Sequence, residues 1–247
     1  MKSGAFPPVM AHTDQARGVP APAPGLVRGG DTITLPSFTD VPTAPSNSAD
    51  GSYPALLKAR RSIREFTDAP ITQAQLSFLL WSMYSVQKLI GQAKSTTLRP
   101  VPSGGARHTF EIYFLAINIA DLAPGLYHYL PLFNVGEQRA TIERIGELPS
   151  QEIRSQMLTG QDWTLTAGAI FFVASVPYRA EWRYGELAHR MIMTDLGYVG
   201  QDFMLSATAM GLGSCQIAGY NQDLCDAIFG LDGTNEFFLI AMPIGTI

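Results

Sequence analysis

The sequence predicts an α+β protein built on a sheet whose central strands are covered on both faces. Residues 110–117 and 169–176 are apolar at nearly every position and rich in aromatic and β-branched side chains, as in strands that are buried on both faces. Residues 186–210 are apolar on most sides of a helix, which predicts burial in the body or in a dimer interface. Because helices and strands do not alternate strictly along the chain, a doubly wound parallel sheet is not expected.

Residues 1–50 differ in composition from the rest of the chain. They contain eight of the 17 prolines, together with many Gly, Ser, Ala and Asp residues. Such a stretch cannot hold a helix or build a core. We expect a Pro-rich arm, extended or disordered, that contacts the body or a partner chain near residues 33–38. Residues 51–247 are expected to form the folded domain.

The elements of the folded domain follow from helix signals and strand patterns. Ser52 and Thr72 precede apolar residues at helical spacing and are expected to cap two helices. Asn221 is expected to cap a later helix that ends at Gly230. The other predicted elements are a loop at 88–101, a turn at 124–125, strands at 126–129 and 237–242, and a helix at 151–158.

Composition excludes several classes of protein. The 247 residues carry 17 Lys and Arg against 21 Asp and Glu, a net charge of −4, so no extended basic surface for nucleic acid is expected. Only 15% of residues are charged, which indicates surface that is buried in an oligomer. No apolar run reaches the ~20 residues of a membrane span, and residues 1–15 lack the apolar region of a signal peptide. Cys215 and Cys225 are expected to be reduced, packed thiols of a cytoplasmic protein.

A cluster of arginines follows the first predicted helix. It consists of Arg60, Arg61, Ser62 and Arg64. Arginine presents planar sets of N–H donors that suit phosphate groups and carbonyl edges. The segment is therefore a candidate anion site, and the alternative is a solvated basic turn.

Two glycine-containing segments allow a ligand to approach the backbone closely, because no Cβ intervenes. The first segment is Pro102, Ser103, Gly104 and Gly105; the second includes Ala218 and Gly219. The first has neither the spacing of a phosphate-binding Walker loop nor that of a dinucleotide fingerprint. A plain turn and a helix stop are the respective alternatives.

Arg183 and Tyr184 lie directly before the long predicted helix. A tyrosine can give or accept a proton, and a neighbouring arginine can orient a substrate. The alternative is a loop in which both side chains only pack. No serine has the surroundings of a nucleophile elbow, and the four histidines are scattered without metal-ligand spacing, so no metal site is expected.

Taken in chain order, these segments resemble the FMN-dependent nitroreductase superfamily, in particular its SagB-type branch, which includes thiazole- and oxazole-forming dehydrogenases. R-R-S-I-R-E-F at 60–66 is similar to the first flavin motif of the family. R-P-V-P-S-G-G-A at 99–106 and E-I-Y at 111–113 resemble a signature of the branch. Further matches are G-L-Y-H-Y-L-P at 125–131, Y-G-E-L-A-H-R at 184–190 and A-M-G-L-G-S-C-Q-I-A-G-Y at 209–220. The likeness covers roughly residues 50–247.

The resemblance implies a nitroreductase-like FMN-binding fold, with a mixed or antiparallel central sheet flanked by helices, that forms a homodimer with FMN sites at the subunit interface. By the same resemblance, Arg60, Arg61, Ser62 and Arg64 bind the phosphate, the ribityl chain and the ring edge of FMN. The segment Pro102, Ser103, Gly104 and Gly105 approaches the flavin ring from the partner subunit. Ala218 and Gly219 offer N–H groups near the reactive nitrogen of the flavin.

Two features depart from the family pattern. No Lys or Arg follows the last predicted strand, so phosphate binding is expected to rest on Arg60, Arg61 and Arg190. Azoline-oxidising members carry a Lys–Tyr pair before the central helix, where this sequence has Arg183 and Tyr184. Because arginine stays protonated, it cannot replace lysine as a proton acceptor. We expect Arg183 to orient the substrate and Tyr184 to contact the reacting atom.

The sequence therefore predicts an FMN-dependent oxidoreductase of the SagB-type, dehydrogenase-like branch that acts on a small-molecule or peptide-derived substrate. One alternative is an NAD(P)H-dependent reductase of nitro compounds or quinones. A second alternative, from a different class, is a catalytically silent partner that scaffolds a biosynthetic complex.

Overall fold

The part of the chain that the structure describes contains nine strands and six α-helices. The structure is a computed structural model and describes residues 12–39, 41, 52–91 and 95–247. The strands are β1 (Asp31–Thr34), β2 (Lys88–Ile90), β3 (Thr96–Leu98), β4 (Phe110–Ala116), β5 (Gly125–Tyr129), β6 (Thr141–Gly146), β7 (Ala169–Ser175), β8 (Leu212–Ser214) and β9 (Phe237–Thr246). The helices are α1 (Tyr53–Ala59), α2 (Gln73–Tyr84), α3 (Gln151–Met157), α4 (Tyr178–Tyr184), α5 (Ala188–Ala209) and α6 (Gln222–Phe229).

Seven of these strands form one sheet with β4 at its centre, in the order β1-β6-β5-β4-β7-β9-β8. Every pair of neighbouring strands in it is antiparallel. The predicted α+β class is confirmed, and the central sheet is antiparallel. The two predicted central strands are β4 and β7, whose residues are all buried.

The sheet carries a hydrophobic core on each face. Neighbouring residues of a strand point to opposite faces, so Tyr113 and Phe114 on β4 belong to different cores, as do Phe171 and Phe172 on β7. One core is completed by α2 and α5, and the other by α3 and α6. This two-sided packing explains why both strands are apolar at almost every position.

The helix signals in the sequence are confirmed. Ser52 accepts a hydrogen bond from the third residue of α1, and Thr72 forms a capping box with Gln75 at the start of α2. Asn221 caps α6, and Gly230 ends that helix in the left-handed conformation, with φ 71°.

One prediction about local structure was wrong, and two others are refined. Within the segment 88–101, which was predicted to be a loop, residues 88–90 and 96–98 pair as the antiparallel strands β2 and β3. Arg183 and Tyr184, which precede the long helix as expected, lie at the end of the short helix α4. In the single chain the helix predicted at 186–210 is buried on one side only, since Met193 is 58% and Tyr198 is 45% exposed. Burial of its other side in a dimer interface stays a prediction. The exposed stripe of α5 comprises His189, Arg190, Met193, Thr194, Gly197, Tyr198 and Gln201.

The described part of the Pro-rich arm lies against the body. Residues 31–34 form the edge strand β1, which pairs with β6. The indole N–H of Trp182 donates to the Val19 carbonyl oxygen at 2.8 Å. Leu35 is only 1% exposed and belongs to a hydrophobic core, so the expectation that the arm adds nothing to a core was wrong at this residue. The rest of the predicted arm, residues 1–11, 40 and 42–50, lies outside the described residues.

A buried chain of charged groups joins the arm to the sheet. The His128 ring lies between two carboxylates, with Nδ1 2.7 Å from Glu143 Oε1 and Nε2 3.1 Å from Glu111 Oε2. Burial alone lowers the pKa of His128, but Glu111 and Glu143 raise it overall. Glu111 also pairs with Arg179 of α4, and Glu143 accepts the backbone N–H groups of residues 28–30. The arm is therefore held by buried, charge-assisted hydrogen bonds.

Cys215 and Cys225 are both buried free thiols, as expected. Across the described ranges, no helix combines the length and the apolar character that a bilayer crossing requires.

Candidate functional site

The arginine segment extends the sheet beyond β8. The backbone N–H of Ile63 donates to the Ser214 carbonyl oxygen at 2.9 Å, and Ser62 forms a parallel bridge with Ser214. The Ile63 side chain packs over Gly213, where an added Cβ would lie 2.7 Å from Ile63 Cγ2. Because side chains alternate along an extended segment, Ser62 and Arg64 point to the opposite side and share one face.

The three arginines of the segment differ in what they contact. Arg60 lies at the end of α1, with Nη1 4.0 Å from the Met204 sulfur on α5. Arg61 donates to the carbonyl oxygens of Lys58 and Arg60 at 2.9 and 2.7 Å, so its guanidinium caps its own helix. The Arg64 guanidinium lies over the Trp163 ring, 5.8 Å from its centroid. Among the described residues, none of the three forms an ion pair with a carboxylate.

Residues 161–163 lie between the arginine segment and Ala218–Gly219 and contact both. The Gln161 side-chain amide donates to the Gly219 carbonyl oxygen at 2.7 Å, and Trp163 contacts Arg64. Ala218 and Gly219 are exposed, and their N–H groups have no acceptor within the part of the chain that the structure describes. The structure thus brings the predicted arginine segment and the predicted N–H donors to one region, which we call the cationic face (residues 60–64, 161–163 and 218–219).

The segment 102–105 lies at a second place, on the N-terminal half of α5. The Gly104 N–H is 3.2 Å from both carboxylate oxygens of Asp195, and the Ser103 hydroxyl also hydrogen-bonds to Asp195. Burial raises the pKa of Asp195, although these two hydrogen bonds oppose the rise. Pro102 is exposed at the start of the segment.

The predicted substrate pair packs directly against this segment. A Cβ added to Gly105 would lie 2.5 Å from the Tyr184 hydroxyl oxygen and 2.7 Å from Arg183 Nε. Gly105 also has φ 60°, a conformation that favours glycine. The Arg183 guanidinium lies 5.7 Å from the Tyr184 ring centroid. We call this second cluster the loop face (residues 102–105 with Arg183 and Tyr184).

The two faces are far apart within one chain. Met191 contacts the loop face and Met204 contacts the cationic face, and these residues lie 13 positions apart on α5, or ~20 Å along the helix axis. Arg190 is exposed beside Met191. In a single chain it therefore lies too far from Arg60 and Arg61 to join them around one phosphate.

Sequence reasoning missed three residues that shape these faces: Gln161, Trp163 and Asp195. Asp195 carried a usable signal, because it is a lone carboxylate in an otherwise apolar stretch of helix. Gln161 and Trp163 carried none, since their role depends on a contact with residues more than 50 positions away. Throughout the described ranges, no three His, Cys, Asp or Glu side chains are grouped so as to hold a metal ion.

Several named proteins resemble this chain in sequence. A presumed nitroreductase of Methanocaldococcus jannaschii is 27% identical over 190 residues, which cover 77% of this chain and 88% of the relative. The microcin B17-processing protein McbC of Escherichia coli is 27% identical over 67% of this chain. The trifolitoxin-processing protein TfxB of Rhizobium leguminosarum bv. trifolii is 26% identical over 59% of it. The chain covers 62% of McbC and 39% of TfxB.

Solved structures share the fold at lower identity. A presumed nitroreductase from Ralstonia eutropha superposes with a TM-score of 0.64 and 22% identity, over 91% of this chain and 93% of that one. The Escherichia coli microcin synthetase McbBCD complex with truncated pro-MccB17 bound gives a TM-score of 0.64 and 20% identity, over 100% of this chain and 84% of that one. The NADPH:FMN oxidoreductase of Vibrio harveyi, complexed with NAD+, gives 0.51 and 19%, over 78% and 67%.

The sequence profile of the Nitroreductase family matches residues 57–246. The matched region contains both the cationic face and the loop face, and McbC and TfxB support the resemblance to the SagB-type branch. Because the profile spans well over half of the chain, from the arginine segment to the last strand, the protein belongs to the nitroreductase family and lies near its SagB-like processing proteins.

Proposed function

We propose that the protein is an FMN-dependent oxidoreductase of the SagB-like branch that works as a homodimer and modifies a small-molecule or peptide-derived substrate. One observation carries the proposal: the cationic face and the loop face lie at opposite halves of α5, so each is half of a site within one chain.

The cationic face fits an anionic, planar ligand rich in hydrogen-bond acceptors. Its arginines have no carboxylate partner among the described residues, and the N–H groups of Ala218 and Gly219 have no protein acceptor there. FMN combines a phosphate with a flat ring that carries acceptors along its edge. We assign Arg60 and Arg61 to the phosphate, Ser62 and Arg64 to the ribityl chain and ring edge, and Ala218 and Gly219 to the ring nitrogen. When bound, FMN supplies the hydride or electron chemistry.

A two-fold dimer would complete the site. The exposed stripe of α5 offers a surface for the same helix of a second copy. If the two helices cross antiparallel, the N-terminal half of one lies beside the C-terminal half of the other. The partner would then bring its loop segment, and its own copy of Arg190, to the cationic face. This arrangement places Pro102, Ser103 and Gly104 on the flavin from the second subunit.

Arg183 and Tyr184 would face the substrate. Tyr184 carries the hydroxyl that can give or take a proton, and Arg183 stays cationic and can hold an anionic or carbonyl group in place. McbC and TfxB are named as processing proteins of a microcin and of trifolitoxin, which favours a peptide-derived substrate here. The reduced thiols Cys215 and Cys225 favour the cytoplasm.

A second candidate function is an NAD(P)H-dependent reductase of nitro compounds or quinones. It is favoured by the similarity to the presumed nitroreductase of M. jannaschii. The replacement of lysine by Arg183 would also suit a catalytically silent scaffold, the third candidate.

An anaerobic absorbance titration of the purified protein with NADH and then NADPH separates these functions. The proposal predicts a bound flavin that neither nucleotide bleaches rapidly. Rapid bleaching by either nucleotide would favour the reductase instead. A protein that holds no flavin after reconstitution with FMN would leave only the scaffold.

A further inference from the structure

We propose that Asp195 is a positioning residue that fixes the loop face, so that the segment 102–105 and the pair Arg183–Tyr184 are set in one arrangement for the reaction. The inference rests on the proposed function, because it assigns Asp195 a role in the same site.

The Asp195 carboxylate forms its hydrogen bonds with the loop, at Ser103 and Gly104. Asp195 is 5% exposed, and both of its oxygens lie 3.2 Å from the Gly104 nitrogen. The Ser103 hydroxyl is its other partner. Within the described residues no Lys, Arg or His pairs with this carboxylate. A buried carboxylate without a cation needs donors, and here the donors come from the loop.

The loop is held in an unfavourable backbone conformation. Gly105, Ala106 and His108 all have positive φ, at 60°, 53° and 44°. Alanine and histidine adopt this conformation at a cost in free energy and keep it only where neighbouring contacts enforce it. The His108 N–H donates to the Ser103 hydroxyl oxygen at 2.9 Å, so Ser103 links the strained residues to Asp195.

On its other side, the loop touches the substrate pair. Gly105 packs against Tyr184 and Arg183 so closely that a Cβ would overlap both side chains. Gly104 packs on Met191, one turn before Asp195 on α5. A shift of the loop would therefore move the contact surface of Tyr184 and the segment that we assign to the flavin of the second subunit. Asp195 contacts the loop at Ser103 and Gly104 and acts on Tyr184 and on the flavin site only through it.

The test compares Asp195→Asn and Asp195→Ala with wild type, and uses Asp202→Asn as a matched control. Asp202 lies two turns further along α5, where it lines a cavity with Tyr53, Leu56 and Phe78. The first readout is hydrogen–deuterium exchange of the amides at 104–107. The second is the rate at which menadione, a quinone, reoxidises the dithionite-reduced, FMN-loaded dimer in a stopped-flow instrument.

We expect faster exchange at 104–107 in the Asp195 variants, by at least tenfold for Asp195→Ala and less for Asp195→Asn, which keeps one acceptor oxygen. We also expect a limiting reoxidation rate at least fivefold lower, with FMN content and dimer size unchanged. Unaltered exchange in both variants would overturn the inference. Faster exchange with an unaltered limiting rate would also overturn it, since Asp195 would then be structural only. The exchange readout needs no flavin, so failure of the inference is distinguishable from wild-type protein that binds no FMN, which overturns the proposed function.

Discussion

Gly105 lies so close to Tyr184 that a Cβ at this position would be 2.5 Å from the tyrosine hydroxyl oxygen. The contact joins two segments that lie about 80 positions apart in sequence. A side chain introduced at Gly105 would therefore displace the Tyr184 hydroxyl while Tyr184 itself stays unsubstituted.

Gly105→Ala should therefore impair turnover more than stability. A side chain at φ 60° costs ~1 kcal/mol, and the overlap with Tyr184 displaces the hydroxyl. We expect a limiting menadione reoxidation rate at least tenfold lower, measured by stopped flow. Gly160→Ala is the matched control, because Gly160 has φ 76° and nothing within 4 Å of an added Cβ. It should lose a similar stability in urea unfolding and keep its rate. Equal rate losses in the two variants would contradict this role of the contact.

Arg60→Ala should weaken FMN binding. A charge-assisted bond to phosphate contributes about 2–3 kcal/mol, so the Kd should rise by about 30- to 150-fold. Arg61→Ala should have a smaller effect, because Arg61 already donates to the carbonyl oxygens of its own helix. Fluorescence titration of the apoprotein with FMN measures both. The exposed Arg139, which pairs with Glu137, provides the control. Full flavin retention by Arg60→Ala and Arg64→Ala after dialysis would rule out the arginine assignment.

Mixing two defective variants should restore activity if the sites are shared between subunits. We expect Arg60→Ala and Gly105→Ala homodimers to be impaired for different reasons. In a mixed dimer, the site built from the native arginine segment of one chain and the native loop of the other is intact. Random reassortment makes about half of the dimers mixed, each with one intact site, so about a quarter of wild-type activity should return. No recovery after unfolding and refolding the mixture would place each site within one chain.

Asp202→Asn should stabilise the protein at neutral pH and not at acidic pH. Burial raises the pKa of Asp202 from 3.8 to about 6, and its Oδ2 is buried without a partner among the described residues. Above about pH 6 the folded chain holds an ionised, poorly solvated carboxylate; below about pH 4 the group is protonated in both the folded and the unfolded chain. The native carboxyl thus favours folding at low pH and loses this effect as the pH rises. We expect a gain of ~1–2 kcal/mol at pH 8 and none at pH 3.5 in urea unfolding.

Asp68→Asn serves as the control for that pH dependence, since Asp68 is exposed. It should change the free energy of unfolding little at either pH. A destabilised Asp202→Asn at pH 8 would mean that the carboxylate has a favourable partner in the dimer.

Much of the fold could be predicted because its signals are local. The caps at Ser52 and Thr72 need only their own helix, and the apolar strands β4 and β7 show their two-sided burial in every residue. The edge strands could not be predicted in this way. β1 lies in a Pro-rich stretch and β8 has only three residues, and both depend on a neighbouring strand for their hydrogen bonds.

The site was predictable in its parts and not in its assembly. The arginines, the glycines and the Arg183–Tyr184 pair stand out by residue type, and the family likeness orders them. Their spatial relations depend on contacts such as that of Arg64 with Trp163 or of His128 with Glu111, which no local pattern encodes. The separation of the cationic face from the loop face on α5 likewise appears only in three dimensions.

Reconstitution with FMN followed by size-exclusion chromatography tests the central claim most directly. The protein is incubated with excess FMN, and flavin absorbance is recorded across the elution profile, with light scattering to give the mass. The account predicts about one FMN per chain in a peak of twice the 26.8 kDa chain mass. A colourless protein, or a flavin-loaded peak at the mass of a single chain, would contradict it.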